Sequence, residues 1–276
     1  MTIRISPLSP VLGAEIEGLD ITRPLAGPAL ETLEQALAEH QVLVIPAAGL
    51  EVEQHLALAR QFGTLETHTF FPNLGPGYEE VSVLDSVGGT RADSWHADET
   101  FLPRPLKATF LHARILPASG GDTCWTSMSA AYAGLSAPMQ RYLEGMTALH
   151  DCAKTVEAGL QWGAATLSQY ITALGQNLRR EQPVVITHPR TGRRALFVNP
   201  TYTRHIVGVP PEESAAVLQY LYAHQTQVRF MYRHRWRAGD LVIWDNLHTQ
   251  HHAVFDYPGQ RRCMYRVSVL GDRPLA

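Results

Sequence analysis

A chain of 276 residues with 45% hydrophobic and 18% charged residues has the make-up of a globular protein able to bury a substantial core, and β-rich units reach this length as one domain. A formal net charge of -3 gives no long-range attraction for nucleic acid or an anionic membrane, and no stretch approaches the ~18 consecutive apolar residues of a spanning helix, so the expected partner is a small molecule. Three cysteines far apart, Cys124, Cys152 and Cys263, argue against a disulfide framework and, with an N-terminus that lacks a long apolar segment, for a cytoplasmic location.

In chain order, residues 3–6 and 14–21 are rich in β-branched side chains and bounded by Pro and Gly, which predicts two strands. Leu30, Leu33, Ala36 and Leu37 predict a helix over 29–40, and the run Val42-Leu43-Val44-Ile45, closed by Pro46, a buried strand. A second helix over 51–62, with Leu56, Ala59 and Phe62 on its apolar face, stops at Gly63. A turn-rich loop to Gly77 then leads to a short strand at 81–84, a small and polar stretch at 86–94, and Trp95-His96-Ala97-Asp98.

Strands over 108–115 and 122–126 flank the turn Pro117-Ala118-Ser119-Gly120-Gly121, and helices follow over 129–135 and 137–144. Residues 154–181 carry no clear period and are the candidate for a mobile cover over a site. Beyond them, a hairpin is predicted from 184–187 and 195–198 around Thr191-Gly192, an amphipathic helix over 211–226, and strands over 228–236, 240–244 and 262–270. Arg229, Arg233, Arg235 and Arg237 alternate along the first of these strands as a solvated face, and Trp125, Trp162, Trp236 and Trp244 are expected in the core or at its edge. Short strands separated by turns, without repeat or linker, predict one β-rich α+β domain over 1–276, a sandwich or jelly roll with flanking helices.

The chemistry begins at His96-Ala97-Asp98. On a strand, residues i and i+2 point to one face, so an imidazole and a carboxylate would converge without strain as two metal ligands. A third ligand is available in Asp245-Asn246-Leu247-His248-Thr249-Gln250-His251-His252, where spacing does not choose among the three histidines. Arg262 and Arg266 lie four apart in an otherwise apolar segment whose other face carries Cys263, Tyr265, Val267 and Val269. Two inward arginines are costly unless each meets an anion. Two His and one carboxylate leave coordination positions open for a chelating cosubstrate and dioxygen, and an arginine nearby suits a dicarboxylate. A zinc hydrolase or a cupin-like binding protein is the rival for the same ligands.

These residues resemble the taurine dioxygenase and 2,4-dichlorophenoxyacetate dioxygenase family of iron(II)/2-oxoglutarate enzymes. The resemblance runs through Pro7-Leu8-Ser9-Pro10, Gly13-Ala14-Glu15-Ile16, Thr22-Arg23-Pro24-Leu25, Trp95-His96-Ala97-Asp98, Gly120-Gly121-Asp122-Thr123, Ala195-Leu196-Phe197-Val198-Asn199, Trp244-Asp245-Asn246, Thr249-Gln250-His251 and Gln260-Arg261-Arg262. It implies a double-stranded β-helix, the cupin-like jelly roll, with Fe(II) on His96, Asp98 and His251, and 2-oxoglutarate held by Arg262 with help from Thr123. His68 and Arg266 would then meet the anionic group of a small organic substrate. The reaction implied consumes O2 and 2-oxoglutarate, yields succinate and carbon dioxide, and hydroxylates that substrate; with taurine or a related alkanesulfonate, sulfite and an aldehyde follow.

The departures from the family pattern concern the substrate. Phe71 stands where taurine enzymes have tyrosine, Ala92 where they have asparagine, and Tyr202 and Val156 where they have phenylalanine. Polar groups near an ammonium are thereby missing, which predicts a preference for an anion with a more apolar tail unless Asp93 or Tyr202 substitutes. Alkyl sulfates, aryloxyalkanoates and biosynthetic carboxylates are the alternative substrates, and a homodimer or homotetramer is implied by the resemblance.

Overall fold

Along the chain, the computed structural model forms β1 (Arg4–Pro7), β2 (Ala14–Glu17), α1 (Gly27–His40), β3 (Val42–Pro46), α2 (Val52–Phe62), β4 (Ser82–Asp85), β5 (Leu106–Ile115) and β6 (Thr123–Ser127). Then come α3 (Met128–Ala133), α4 (Ala137–Leu143), β7 (Thr147–Asp151), β8 (Arg179–Pro183), β9 (Val185–Thr187), β10 (Arg194–Leu196) and β11 (Thr203–Ile206). Last are α5 (Pro211–Gln225), β12 (Met231–His234), β13 (Asp240–Asp245), β14 (Thr249–Ala253) and β15 (Cys263–Leu270). The structure describes residues 3–46, 49–68, 72–88, 94–155, 157, 178–272 and 275.

A seven-stranded sheet in the order β1-β2-β3-β13-β5-β15-β4 forms the larger wall, antiparallel at every pairing except β2 with β3. The period of two along its strands sorts side chains into two cores. Leu43, Ile45, Leu241, Ile243, Val267 and Val269 face α1 and α2. Their alternates Val42, Val44, Val242, Trp244 and Met264 face inward, onto Trp125 and Trp236. Trp125 belongs to β6, at the centre of the opposing sheet β12-β6-β14. Two sheets enclosing an apolar interior, with helices on the outside of one, make the jelly roll.

Local sequence explains the helix ends. Glu51 and Gln54 form a reciprocal capping box at the start of α2, and Gly63 at φ 145° ends it, where an added Cβ would meet Val269 at 3.2 Å. α1 closes on Gln41, a left-handed residue whose N–H donates to Leu37 O at 2.7 Å.

One expected strand is shortened, two strands are added, and one expected segment lies largely outside the described residues. The strand expected over 228–236 opens with a 3-10 turn at Val228–Phe230 and is extended only over β12, because Phe230 turns inward to pack with Met128 and Leu221. β7 and β11 are strands that no apolar period marks; they pair with each other, and β7 also pairs with β8. The cover expected within 154–181 lies outside the described residues apart from 154, 155, 157 and 178–181, and of these Arg179, Arg180 and Glu181 are the start of β8. The four arginines of 229–237 are exposed as expected, with Arg233 on Asp122 and Arg237 on Asp240 and Glu15.

Two histidines buried in these cores make a pH prediction. Burial, then the neighbouring His112, pushes His55 of α2 down to about 3, and burial does the same to His150 of β7. Both are neutral in the native state, whereas the unfolded chain protonates them near 6.5. Stability is therefore complete above about pH 6.5 and falls as pH drops toward 3, by about 1.4 kcal/mol per pH unit for each group. Urea unfolding at pH 7, 6 and 5 checks this: H55L is expected to show an acid limb shallower by one such increment.

Candidate functional site

The isolated antiparallel bridge between His96 and His251 brings the two candidate ligand segments together. His96 N–H donates to His251 O at 3.1 Å and His251 N–H donates to His96 O at 2.7 Å, so the loop carrying residues 96–98 runs beside β14. Asp98 Oδ1 then lies 3.5 Å from His96 Nε2 and 3.8 Å from His251 Nε2, and the imidazole centroids are 4.2 Å apart. All three residues are buried. Two imidazole nitrogens and a carboxylate oxygen on one face fit a divalent ion that keeps positions open to exchangeable ligands.

Tautomers separate this cluster from a second group of similar composition. His96 Nδ1 stands 2.8 Å from the Ser94 carbonyl, an acceptor only, so Nδ1 carries the proton and Nε2 presents its lone pair toward Asp98. His188, Asp245 and His248 also converge, with His188 Nε2 and His248 Nδ1 each 3.2 Å from Asp245 Oδ2. There, however, His188 Nδ1 accepts the backbone N–H groups of Arg190 at 3.0 Å and Thr191 at 3.1 Å. Its proton must sit on Nε2 and point at Asp245, which makes that group a hydrogen-bonded network and not a coordination site.

Electrostatics prepare the first cluster. Burial alone would raise the Asp98 carboxyl, but the Arg266 guanidinium outweighs it and holds the group below the usual carboxylate range. Arg266 donates to Asp98 Oδ1 at 3.3 Å and Thr109 donates to Oδ2 at 3.1 Å. Burial, then His96, pushes His251 down to about 3, so its imidazole is neutral.

Arg262 lies on the same cavity and is 7% exposed. Its Nε donates to Gly121 O at 3.0 Å and its Nη2 to Thr123 Oγ1 at 3.3 Å, while its guanidinium lies 5.8 Å from the Trp236 ring. Among the described residues no carboxylate lies within 4.0 Å of it. A dry guanidinium without a counter-charge costs several kcal/mol, on the order of a large fraction of a domain's stability, unless an incoming anion meets it. Gly121, at φ 72°, is required here because an added Cβ would stand 3.1 Å from Arg262 Cδ.

Thr123 is poised for the same anion. Trp236 Nε1 donates to its hydroxyl oxygen at 3.0 Å, and with Arg262 Nη2 this occupies both lone pairs, so the O–H is left to donate. Thr123→Val preserves volume and removes that donor. On the cosubstrate role that the resemblance implies, steady-state kinetics is expected to show a KM for 2-oxoglutarate raised roughly tenfold at near-constant kcat, the loss of about one hydrogen bond.

The expected substrate residues are only partly placed. His68, Tyr202 and Arg266 line the same cavity of about 70 Å³ as the candidate ligands, whereas Phe71, Ala92 and Val156 lie outside the described residues. His68 is paired with Glu99, a buried residue with a left-handed backbone at φ 47°. Arg266 sits in the combined field of Asp98, Glu99 and Glu66, and burial, then Glu99, raises Glu66 to about 8. Tyr202 packs on Phe101 at 5.2 Å and presents an edge to His96 at 6.3 Å. Sequence reasoning passed over Glu99, Thr109 and the contacts of Asn246; the one signal for Glu99 was an acid directly after His-x-Asp.

Residues 4–268 match the family model described as taurine catabolism dioxygenase TauD, TfdA family. The α-ketoglutarate-dependent sulfate ester dioxygenase of Pseudomonas putida is 32% identical, over 100% of this chain and 92% of that protein. The crystal structure of a taurine dioxygenase from Burkholderia xenovorans superposes with a TM-score of 0.84 at 33% identity, over 99% of this chain and 91% of that one. AAD-2, crystallised with Mn(II) and N-oxalylglycine, superposes with a TM-score of 0.83 at 28% identity over the full length of both chains.

Proposed function

The chain belongs to the taurine catabolism dioxygenase TauD, TfdA family, and we propose that it hydroxylates a small organic anion, taurine or a related alkanesulfonate, at the carbon bearing sulfur. It is an α-ketoglutarate-dependent dioxygenase, using Fe(II), 2-oxoglutarate and O2, and not a zinc hydrolase. His96, Asp98 and His251 would hold the iron, and Arg262 with the Thr123 hydroxyl would grip the distal carboxylate of 2-oxoglutarate. The observation that carries this assignment is the buried Arg262, without a carboxylate partner among the described residues, on the same cavity as the His-Asp-His face. When bound, iron supplies the O2 chemistry that couples oxidative decarboxylation to succinate and carbon dioxide with insertion of one oxygen atom into a C–H bond.

The chain's own residues would orient the reactants and exclude water. Arg266 holds Asp98 ionised, and Thr109 fixes its other oxygen. Arg266 supplies the positive charge for the substrate's anion, His68 offers a ring N–H beside it, and Tyr202 walls the cavity beside His96. Hydroxylation next to a sulfonate leaves a carbon whose O–H loses its proton as the C–S bond breaks; sulfite departs with the bonding pair and an aldehyde remains.

Glu99 bears on the preferred tail. The departures Phe71 and Ala92 favour an apolar tail, but Glu99 places a buried carboxylate on the cavity wall, a partner for the ammonium of taurine. Sulfite release from taurine and from butanesulfonate is the test, with taurine expected to lead by about tenfold, the worth of one charged contact. E99Q is expected to erase that lead, and equal rates in the unmodified enzyme would discard the taurine reading. An alkyl sulfate is the second reading, supported by the named activity of the Pseudomonas putida relative and by the fact that Arg266 reads charge and not sulfur. Release of sulfate in place of sulfite from the matched ester would identify it.

A further inference from the structure

The His188–Asp245–His248 network stands outside the cavity, and the proposed mechanism makes no use of it. It encloses a turn whose next residue, Asn246, reaches the candidate site. Asn246 is 0% exposed, and its side-chain amide copies a peptide group. Its Oδ1 accepts the backbone N–H of Asp98 at 2.8 Å, and its Nδ2 donates to Asp98 O at 2.9 Å and to Leu106 O at 3.1 Å. Asp98 otherwise sits in a turn, outside any named strand, so this amide holds both backbone polar groups of the carboxylate residue from 148 positions away in sequence.

Asp245 locks the turn that aims Asn246. Its Oδ1 accepts the N–H groups of Leu247 at 2.9 Å and His248 at 3.2 Å, its carbonyl accepts the Thr249 hydroxyl at 2.8 Å, and its Oδ2 accepts the two imidazoles. Every one of these bonds lies in or at the edge of the core, where an unmade bond is expensive. The chain of contacts therefore runs from His188 through Asp245 and Asn246 to the Asp98 backbone.

We propose that Asn246 is a positioning residue for the metal-ligating carboxylate, and that the His188–Asp245–His248 network is its anchor. The proposal rests on the reading of His96, Asp98 and His251 as the iron site. Partners that orient a ligand without touching the metal typically govern metal affinity by ten- to a hundredfold. The side-chain clamp sets where Asp98 Oδ1 stands relative to the two imidazoles, and its loss frees the 96–99 turn to sample positions in which the three ligand atoms no longer converge.

Anaerobic titration of the metal-free protein with Fe(II) at saturating 2-oxoglutarate, followed by the charge-transfer absorption of the chelate, tests this. N246A is expected to raise the half-saturating Fe(II) concentration by ten- to a hundredfold. L143A, in the distant helical core, lowers Tm as a plain structural defect does and is expected to leave Fe(II) binding within twofold. H96A is the control for the site itself. Wild-type binding that H96A leaves intact would refute the iron-site reading; binding abolished by H96A but held within twofold by N246A would refute the clamp alone. Should N246A not fold, H188Q leaves every contact of Asn246 in place and loosens only the anchor. A three- to tenfold weakening is then expected, and unchanged binding overturns the proposal.

Discussion

Asp98→Ala is expected to abolish turnover, by at least about a thousandfold, and to destabilise the protein before any metal is added. The two effects have separate causes. Removing one of three ligand atoms leaves two imidazoles, too few to hold Fe(II) against water and buffer. The second effect concerns Arg266, which is 6% exposed and donates to Asp98 at 3.3 Å. Taking away the carboxylate that Arg266 meets there removes one counter-charge from a buried cation, at a cost of about 3–5 kcal/mol. H251A makes the contrast, because it removes a neutral imidazole and should match D98A in lost Fe(II) binding while losing far less stability. Metal-free unfolding midpoints for the two variants, beside Fe(II) titration, check both halves; equal destabilisation would show that Arg266 does not depend on Asp98.

Arg262→Leu is expected to have the opposite signature: a severe loss of cosubstrate binding in a protein that is as stable as the parent or more so. Arg262 carries a charge in a dry setting and, among the described residues, its guanidinium donates to a backbone carbonyl and a threonine hydroxyl, not to a carboxylate. An apolar replacement of similar bulk removes an unpaired buried charge, a change that is often neutral or stabilising by about 1–4 kcal/mol. The distal carboxylate of 2-oxoglutarate would lose a pair of charge-assisted hydrogen bonds of about 1.5–3 kcal/mol each, so KM for 2-oxoglutarate should rise by roughly two to four orders of magnitude. R262K keeps the charge but not the fork and should fall between. A Tm for metal-free R262L several degrees below the parent would contradict the account of Arg262 as an unpaired charge waiting for an anion.

Much of the frame was legible because burial imposes periods. Leu33, Ala36 and Leu37 mark α1, the run before Pro46 marks β3, and the alternation of 265, 267 and 269 with Arg266 marks β15 as a strand with a charged inner face. β7 and β11 were not legible because their inner positions include His150 and Thr203, polar residues that bond each other at 3.3 Å in place of forming an apolar stripe. Spacing left three histidines open and the resemblance through Thr249-Gln250-His251 implied His251; the physical reason lies in β14, whose register pairs it with Trp125. In that register the next residue, His252, lies tilted against Trp95 with ring centroids 5.5 Å apart, and His248 is spent on Asp245. No local pattern encodes these assignments, nor the embrace of Asp98 by Asn246, which only the closed fold brings into contact.

β15 runs between β5 and β4 with Arg262 at its threshold and Arg266 four residues on, both lining one cavity. Four residues of extended chain span about 13 Å, a length that hydrogen bonds to both neighbouring strands make rigid. On the roles proposed, that stretch is a gauge fixing how far the cosubstrate's tail stands from the molecule to be oxidised. One residue inserted between the two arginines would turn Arg266 toward the helices while leaving Arg262 in place. Such a protein would still take up 2-oxoglutarate yet have no target aligned with it, so lineages that change their substrate must do so around this strand and not along it.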